Sequence, residues 1–266
     1  MDILFKELHG NNEKTLVPIN KFNGRYELTL GLKSLEKEVK VLKEKIPHLF
    51  DDIYFILHSH FQNFCYYKGN VWVEIFSLEW KVWEFLDLEK SISYFNEQME
   101  EYEKENDYES IFSLMEKKIL FSRYIELFSK IPDEQKYNIF REIWSRSEYG
   151  FDMLTFILKD EIFAYREHSQ ERNEAIEELK AMADGEPIIT VYRGETIRST
   201  PSDRALSWTL DVETAEFFAR RFNSKGVVLK AQIHVNDIYD YLRHRKEEEV
   251  LLDPQKLINK EIAFRL

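Results

Sequence analysis

The stretch "AMADGEPIITVYRG", residues 181–194, is where the chain changes texture. Upstream of it, apolar residues recur at three- and four-residue steps. Downstream, a β-branched run begins. Asp184, Gly185 and Pro187 punctuate the join, and Ile188, Ile189, Thr190 and Val191 favour extended backbone. The stretch divides the chain into a mostly helical region, 1–183, and a smaller α+β region, 184–266.

In the upstream region, Leu32, Leu35, Val39, Leu42 and Ile46 fall on one helical face. The same logic repeats in "DDIYFILHSHFQNF" (51–64), "LEWKVWEFLDLEK" (78–90), "ESIFSLMEKKILFSRYIELF" (109–128), "DEQKYNIFREIW" (133–144) and "FDMLTFILKDEIFAYREH" (151–168). Several of these are apolar on more than one side and read as interior helices. "YYKGNVWVEIF" (66–76) fits a hairpin or a helix junction. His58 and His60 would stand about 200° apart on a helix, a poor chelate.

Downstream, "VVLKAQIHV" (227–235) alternates. Val227, Leu229, Ala231, Ile233 and Val235 take one face, while Val228, Lys230, Gln232 and His234 take the other. "KEIAFRL" (260–266) reads as a terminal strand. "DVETAEFFARRF" (211–222) reads as a helix with Asp211 as N-cap and Ala215, Phe218, Ala219 and Phe222 at helical spacing. Helices do not alternate regularly with strands here, so a pair of small antiparallel or mixed sheets is expected rather than a doubly wound sheet.

The chain has 266 residues and a formal net charge of -12, with 20 Phe, 14 Tyr and 5 Trp. That apolar mass supports a sizeable core and argues against disorder. The acidic balance disfavours passive binding to phosphate backbones. Cys65 is the only cysteine, so no internal disulfide or cysteine zinc cluster forms, which fits a reducing, cytoplasmic setting. The first residues carry acids inside a short apolar run, unlike a secretory signal. No run approaches the ~18 apolar residues of a membrane span, so no membrane partner is expected.

Three short stretches carry the chemistry. "VYRG" ends a strand on Arg193 beside Gly194, where a guanidinium can grip a phosphate with little bulk next to it. "SWT" places the hydroxyls of Ser207 and Thr209 two residues apart, on one face of a regular strand, with Trp208 opposite. "EEEVLL" (247–252), read as a strand, puts Glu247 and Glu249 on one face and Glu248 on the other. Two carboxylates entering an apolar strand on the same face repel each other and lose water, which costs stability unless a partner or a function offsets it.

In this order, the stretches resemble the mono-ADP-ribosyltransferases of the toxin-like branch. That branch has an arginine at the end of its first core strand, a Ser-x-Ser or Ser-x-Thr strand before a helix, and a Glu-x-Glu leading into an apolar strand. The resemblance covers about residues 186–266, and Thr209 stands where many members have serine. It implies a small two-sheet catalytic domain that uses NAD as co-substrate without a metal. It places NAD against Arg193, Gly194, Ser207 and Thr209. Glu249 resembles the catalytic glutamate, Ser207 the serine that orients it, and Glu247 the acid that faces the acceptor. Glu248 is expected to be a bystander.

The resemblance implies transfer of ADP-ribose to a macromolecule, first a protein arginine. RNA or DNA as acceptor, or water in an NAD glycohydrolase, are the other outcomes within the class. A helical interaction protein with a degenerate transferase domain is the non-enzymatic alternative, which nicotinamide release from NAD would rule out. A toxin, defence effector or phage enzyme would each fit, with an antitoxin or regulatory partner on residues 1–183. Tyr239 and Tyr241, just before the acid pair, fit either acceptor contact or core. Arg220 and Arg221 fit helix-end cations, and Gly194 and Gly226 do not form a phosphate-binding glycine loop.

Overall fold

The structure, a computed structural model, describes residues 16–21, 36–56, 64–75, 82–147, 151, 154, 156–183, 187–221, 226–243 and 247–266. The chain divides into two compact units, Met1–Lys159 and Asp160–Leu266. Both contain helices and antiparallel sheet, so the fold is α+β.

In the first unit, strands β1 (Leu16–Pro18), β2 (Ile53–Ile56), β3 (Phe64–Lys68) and β4 (Val71–Ile75) form one sheet in that order, with helix α1 (Glu36–Lys45) between β1 and β2 in the chain. This corrects the helical reading at Ile53–Ile56 and at Phe64, while residues 57–63 lie outside the described residues. Ile53, Tyr54, Phe55, Phe64, Cys65, Tyr66 and Tyr67 are all buried. A short run buried on both faces shows no strand period and imitates an interior helix. The described part of the 66–76 stretch, 66–75, is a hairpin, turning at Gly69 with φ 58°, a left-handed conformation that suits glycine. Leu32, Leu35, His58 and His60 lie outside the described residues.

The further helices of this unit are α2 (Val82–Glu105), α3 (Tyr108–Leu114), α4 (Leu120–Leu127) and α5 (Asp133–Arg146). The stretch 109–128, expected as one helix, is two, broken at Met115–Ile119, and α2 runs well past residue 90. Asp107 caps α3 by accepting from the Ser110 amide at 3.0 Å, and Gln135 Oε1 accepts from the Tyr108 amide at 2.8 Å. These bonds use backbone donors that a helix start leaves unpaired. Helix α6 (Phe156–Phe163) runs through the boundary between the units.

The second unit begins at Asp160, upstream of the change in texture. Helix α7 (Gln170–Met182) belongs to it, capped by Ser169, which accepts from the Arg172 amide. Strands β5 (Ile188–Glu195), β6 (Ser207–Thr209), β7 (Val227–His234), β8 (Ile238–Leu242), β9 (Glu249–Leu252) and β10 (Ile258–Arg265) form a sheet in the order β10-β7-β5-β6-β9-β8, with helix α8 (Val212–Ala219) between β6 and β7 in the chain. The expected sheet pair is thus one hydrogen-bonded sheet. Its three-stranded halves join at β5 and β6 through a single residue pair, Tyr192 with Thr209. Asp184 and Gly185 lie outside the described residues.

One face of this sheet carries the core. Ala175, Ile176 and Leu179 of α7 pack with Val191, Trp208, Leu229, Ala231, Ile233, Tyr241, Val250 and Leu252. The alternation read in 227–235 is the reason Leu229, Ala231 and Ile233 all reach it. On the other face, Ala215 and Ala219 of α8 lie on Val228, with Tyr192 and Phe264 against them. Edge strand β10 is exposed along nearly all its length, and its Lys260, Glu261 and Arg265 discourage pairing with a further strand.

Among the described residues no helix is long and apolar enough to cross a membrane.

Candidate active site

Where the two halves of the second unit's sheet meet, a cleft of about 270 Å³ opens. Its walls include Arg193, Gly194, Ser207, Thr209, Glu247 and Glu249. All six candidate residues therefore stand around one space.

Arg193 continues the core-side face of Ile189 and Val191, and β5 runs two residues past it to Glu195 rather than ending on the arginine. The Arg193 Nη1 donates to the Ser207 carbonyl at 2.6 Å and its Nη2 to the Thr200 carbonyl at 2.9 Å. These bonds fix the guanidinium without using a carboxylate. Burial lowers the Arg193 pKa from the usual arginine value, while the charges of Glu195 and Glu249 pull it upward. Its Nε is buried with no hydrogen-bond partner among the described residues. A buried donor left over in this way costs ~1–3 kcal/mol unless something supplies an acceptor.

Glu249, the first residue of β9, is only 6% exposed. Ser207 donates its hydroxyl to Glu249 Oε1 at 2.6 Å. The register explains this reach: Thr209 faces Glu249 and Ser207 faces Leu251, so the serine lies on the diagonal from the carboxylate.

The strand phasing expected for 247–249 is corrected. The strand begins at Glu249, and Glu248 has φ 47°, in the left-handed region. Glu247 sits in the preceding turn, half-buried, and still lines the cleft. A left-handed kink, not a strand's period of two, places both acids on the same side. Glu248 leaves the cleft and accepts a hydrogen bond from the Tyr241 hydroxyl.

Thr209 serves the scaffold as well as the cleft wall. Its hydroxyl donates to the Glu247 carbonyl at 2.6 Å and accepts from the Asp211 amide at 3.0 Å. Asp211 then caps α8, accepting from the amides of Glu213 and Thr214 at 3.1 and 2.9 Å. The bond from the Thr214 side chain leads in holding the Asp211 carboxyl below its ordinary range, with the two amides adding to it.

Gly194 is needed for packing. A Cβ there would lie 2.0 Å from the Ala215 carbonyl oxygen and 2.6 Å from the Ala219 nitrogen, so α8 could not rest on β5. Gly226 meets the same helix in the same way, 2.1 Å from the Ala219 carbonyl oxygen.

Tyr241 belongs to the interior, and Tyr239 is half-buried. The Tyr239 ring stacks on Phe163 at 3.9 Å, and burial pushes its pKa up to about 12. Tyr241 is 2% exposed.

The cleft also holds residues that the sequence did not single out for it: Arg198, Ser199, Thr214, Phe218 and Arg221. The Arg221 guanidinium lies 4.4 Å from the centre of the Phe218 ring. A helix-end arginine is explained by the helix dipole alone, so nothing in the sequence marked Arg221 beyond its place just after the "SWT"–helix stretch. Arg198 likewise lay near "VYRG" in an ordinary connecting loop.

A larger recess of about 920 Å³ runs along α7 and the turn at Val235 and Asn236. Its charges are matched locally: Arg172 donates to the Tyr239 carbonyl at 2.9 Å and to Glu167 at 3.0 Å, and Lys180 to Glu177 at 2.7 Å. In the smaller cleft, by contrast, the buried Glu249 carboxylate and the desolvated Arg193 guanidinium line one space.

No protein-family model, curated protein or solved structure matches this chain.

Proposed function

We propose that the chain is a mono-ADP-ribosyltransferase that cleaves NAD at the nicotinamide–ribose bond and transfers ADP-ribose to a macromolecule. The observation that carries this reading is the Ser207–Glu249 hydrogen bond in the cleft that Arg193 and Glu247 also line.

NAD offers an anionic pyrophosphate and a ribose that turns cationic as nicotinamide leaves. The cleft has groups for both. Arg193, with its leftover Nε donor, and the neighbouring Arg198 and Arg221 suit the pyrophosphate. At about 270 Å³ the cleft is smaller than the ~300–1,000 Å³ typical of small-molecule sites, so much of the dinucleotide would lie along the open rim.

Glu249 would face the ribose. When the bond from C1′ to the nicotinamide nitrogen breaks, its electron pair leaves with nicotinamide, which departs neutral and needs no general acid. Positive charge is left on the ribose, as in glycoside cleavage. A buried carboxylate held by Ser207 stabilises that charge more strongly than a solvated one would, because little water screens it.

The acceptor's lone pair then forms the new bond at C1′, and its proton passes to Glu247. A protein arginine is the first acceptor to test, on the strength of the Glu-x-Glu resemblance.

The test uses labelled NAD with the purified protein in a whole-cell lysate, counting protein and RNA fractions separately and following hydrolysis by water in parallel. Glu247→Gln is expected to lower label transfer far more than hydrolysis, because a cationic arginine must be aligned and deprotonated before it can attack, whereas water is abundant and can pass its proton to bulk solvent. A parallel fall in both, or no change in either, would remove Glu247 from this role.

A further inference from the structure

We propose that Tyr241 and Glu248 are positioning residues: the Tyr241–Glu248 hydrogen bond holds the left-handed turn that presents Glu247 and Glu249 together to the cleft. The catalytic part of this claim rests on the transferase reading; the structural part does not.

Glu248 has φ 47°. The left-handed region costs a residue with a Cβ ~1–2 kcal/mol, so something must hold it there. Three contacts converge on the turn. Thr209 Oγ1 donates to the Glu247 carbonyl at 2.6 Å. The Leu210 amide donates to the Glu248 carbonyl at 3.0 Å. The Tyr241 hydroxyl donates to the Glu248 carboxylate. The first two tie the backbone to the end of β6 and the residue after it. Only the third reaches the Glu248 side chain, and it comes from β8.

The anchor is rigid at its far end. Tyr241 is 2% exposed, lies in the core with Trp208 and Val250, and pairs with Val250 across β8 and β9. Burial raises its pKa first, and the hydrogen bond and charge of Glu248 raise it further, so the phenol keeps the proton it donates. Glu248 itself is exposed. An exposed glutamate in the left-handed region, tied to a buried tyrosine, is explained by what it does for its two neighbours. If the turn relaxed to ordinary φ, Glu247 would swing relative to Glu249. Misplacing a reacting group by ~1 Å can cost about a hundredfold in rate.

The test is Tyr241→Phe, which keeps the buried ring and removes the hydroxyl. Turnover in transfer is expected to fall ~10- to 100-fold with the KM for NAD little changed. Adding Glu248→Gly to that variant is expected to restore most of the turnover, since glycine adopts the left-handed turn without a tether. The Leu210 amide, which donates to Glu248, is expected to exchange its hydrogen faster in Tyr241→Phe and to recover protection in the double variant. Turnover unchanged in Tyr241→Phe, or a loss that follows NAD affinity or global unfolding and is not rescued, would overturn the proposal. If the wild type releases no nicotinamide, the transferase reading fails and Leu210 exchange alone decides: unchanged protection in Tyr241→Phe rejects the tether, and lost then rescued protection supports it.

Discussion

Ser207 and Glu249 lie 42 residues apart in the chain, yet the serine hydroxyl donates to the glutamate carboxylate at 2.6 Å. The contact exists because β6 and β9 are antiparallel neighbours whose register leaves one hydroxyl and one carboxylate on a diagonal. Ser207 also offers its carbonyl to Arg193 at 2.6 Å, so one residue ties the cation and the anion of the cleft together.

Ser207→Ala should therefore separate two effects. The backbone carbonyl that holds Arg193 survives the change, but the bond to Glu249 does not. A hydrogen bond to a charged group contributes ~1.5–3 kcal/mol, so turnover is expected to fall about 10- to 100-fold with NAD affinity little altered. Steady-state nicotinamide release against NAD concentration measures both. A rise in KM with unchanged turnover would assign the hydroxyl to binding instead.

Gly194→Ala should act on stability. The new methyl would meet backbone atoms of α8 at 2.0 and 2.6 Å, which cannot turn aside as a flexible side chain can. The helix must shift, at a cost of ~1–3 kcal/mol. Urea denaturation compares the variant with wild type. Equal midpoints would mean that α8 is not seated on β5 as described.

Asp211 gives a pH dependence with a defined sign. Its folded carboxyl is held below the ordinary value, with the Thr214 side chain as the leading cause. The cap's contribution is therefore complete above the ordinary carboxylate pKa of ~3.9 and lost as pH falls through the lower folded value. Asp211→Asn removes that titration. The gap in melting temperature between wild type and Asp211→Asn is expected to hold steady above about pH 5 and to close in more acid solution. A gap that widens on acidification would contradict the capping role.

The legible parts of the fold were those with a period and a stop signal. Asp211 ahead of Ala215 and Ala219 announced α8, and the alternation of Leu229, Ala231 and Ile233 announced β7. The stretch 53–56 hid because Ile53, Tyr54 and Phe55 are all buried, which erases the period of two. The place of α7 in the second unit hid because an amphipathic helix does not say which sheet it covers. Arg193, Ser207, Glu247 and Glu249, singled out by residue type and order, do stand around one cleft. The kink at Glu248 was not legible, since glutamate carries no left-handed preference and the tether comes from Tyr241 in another strand.

The central claim is that Glu249 is the carboxylate that supports departure of nicotinamide. It is tested most directly by nicotinamide release from NAD in three proteins: wild type, Glu249→Gln, and Glu261→Gln on the exposed edge strand β10 as control. Release by wild type and by Glu261→Gln at similar rates, with a fall of ~100- to 1,000-fold in Glu249→Gln, is the expected result. Turnover of Glu249→Gln near that of wild type would contradict the account.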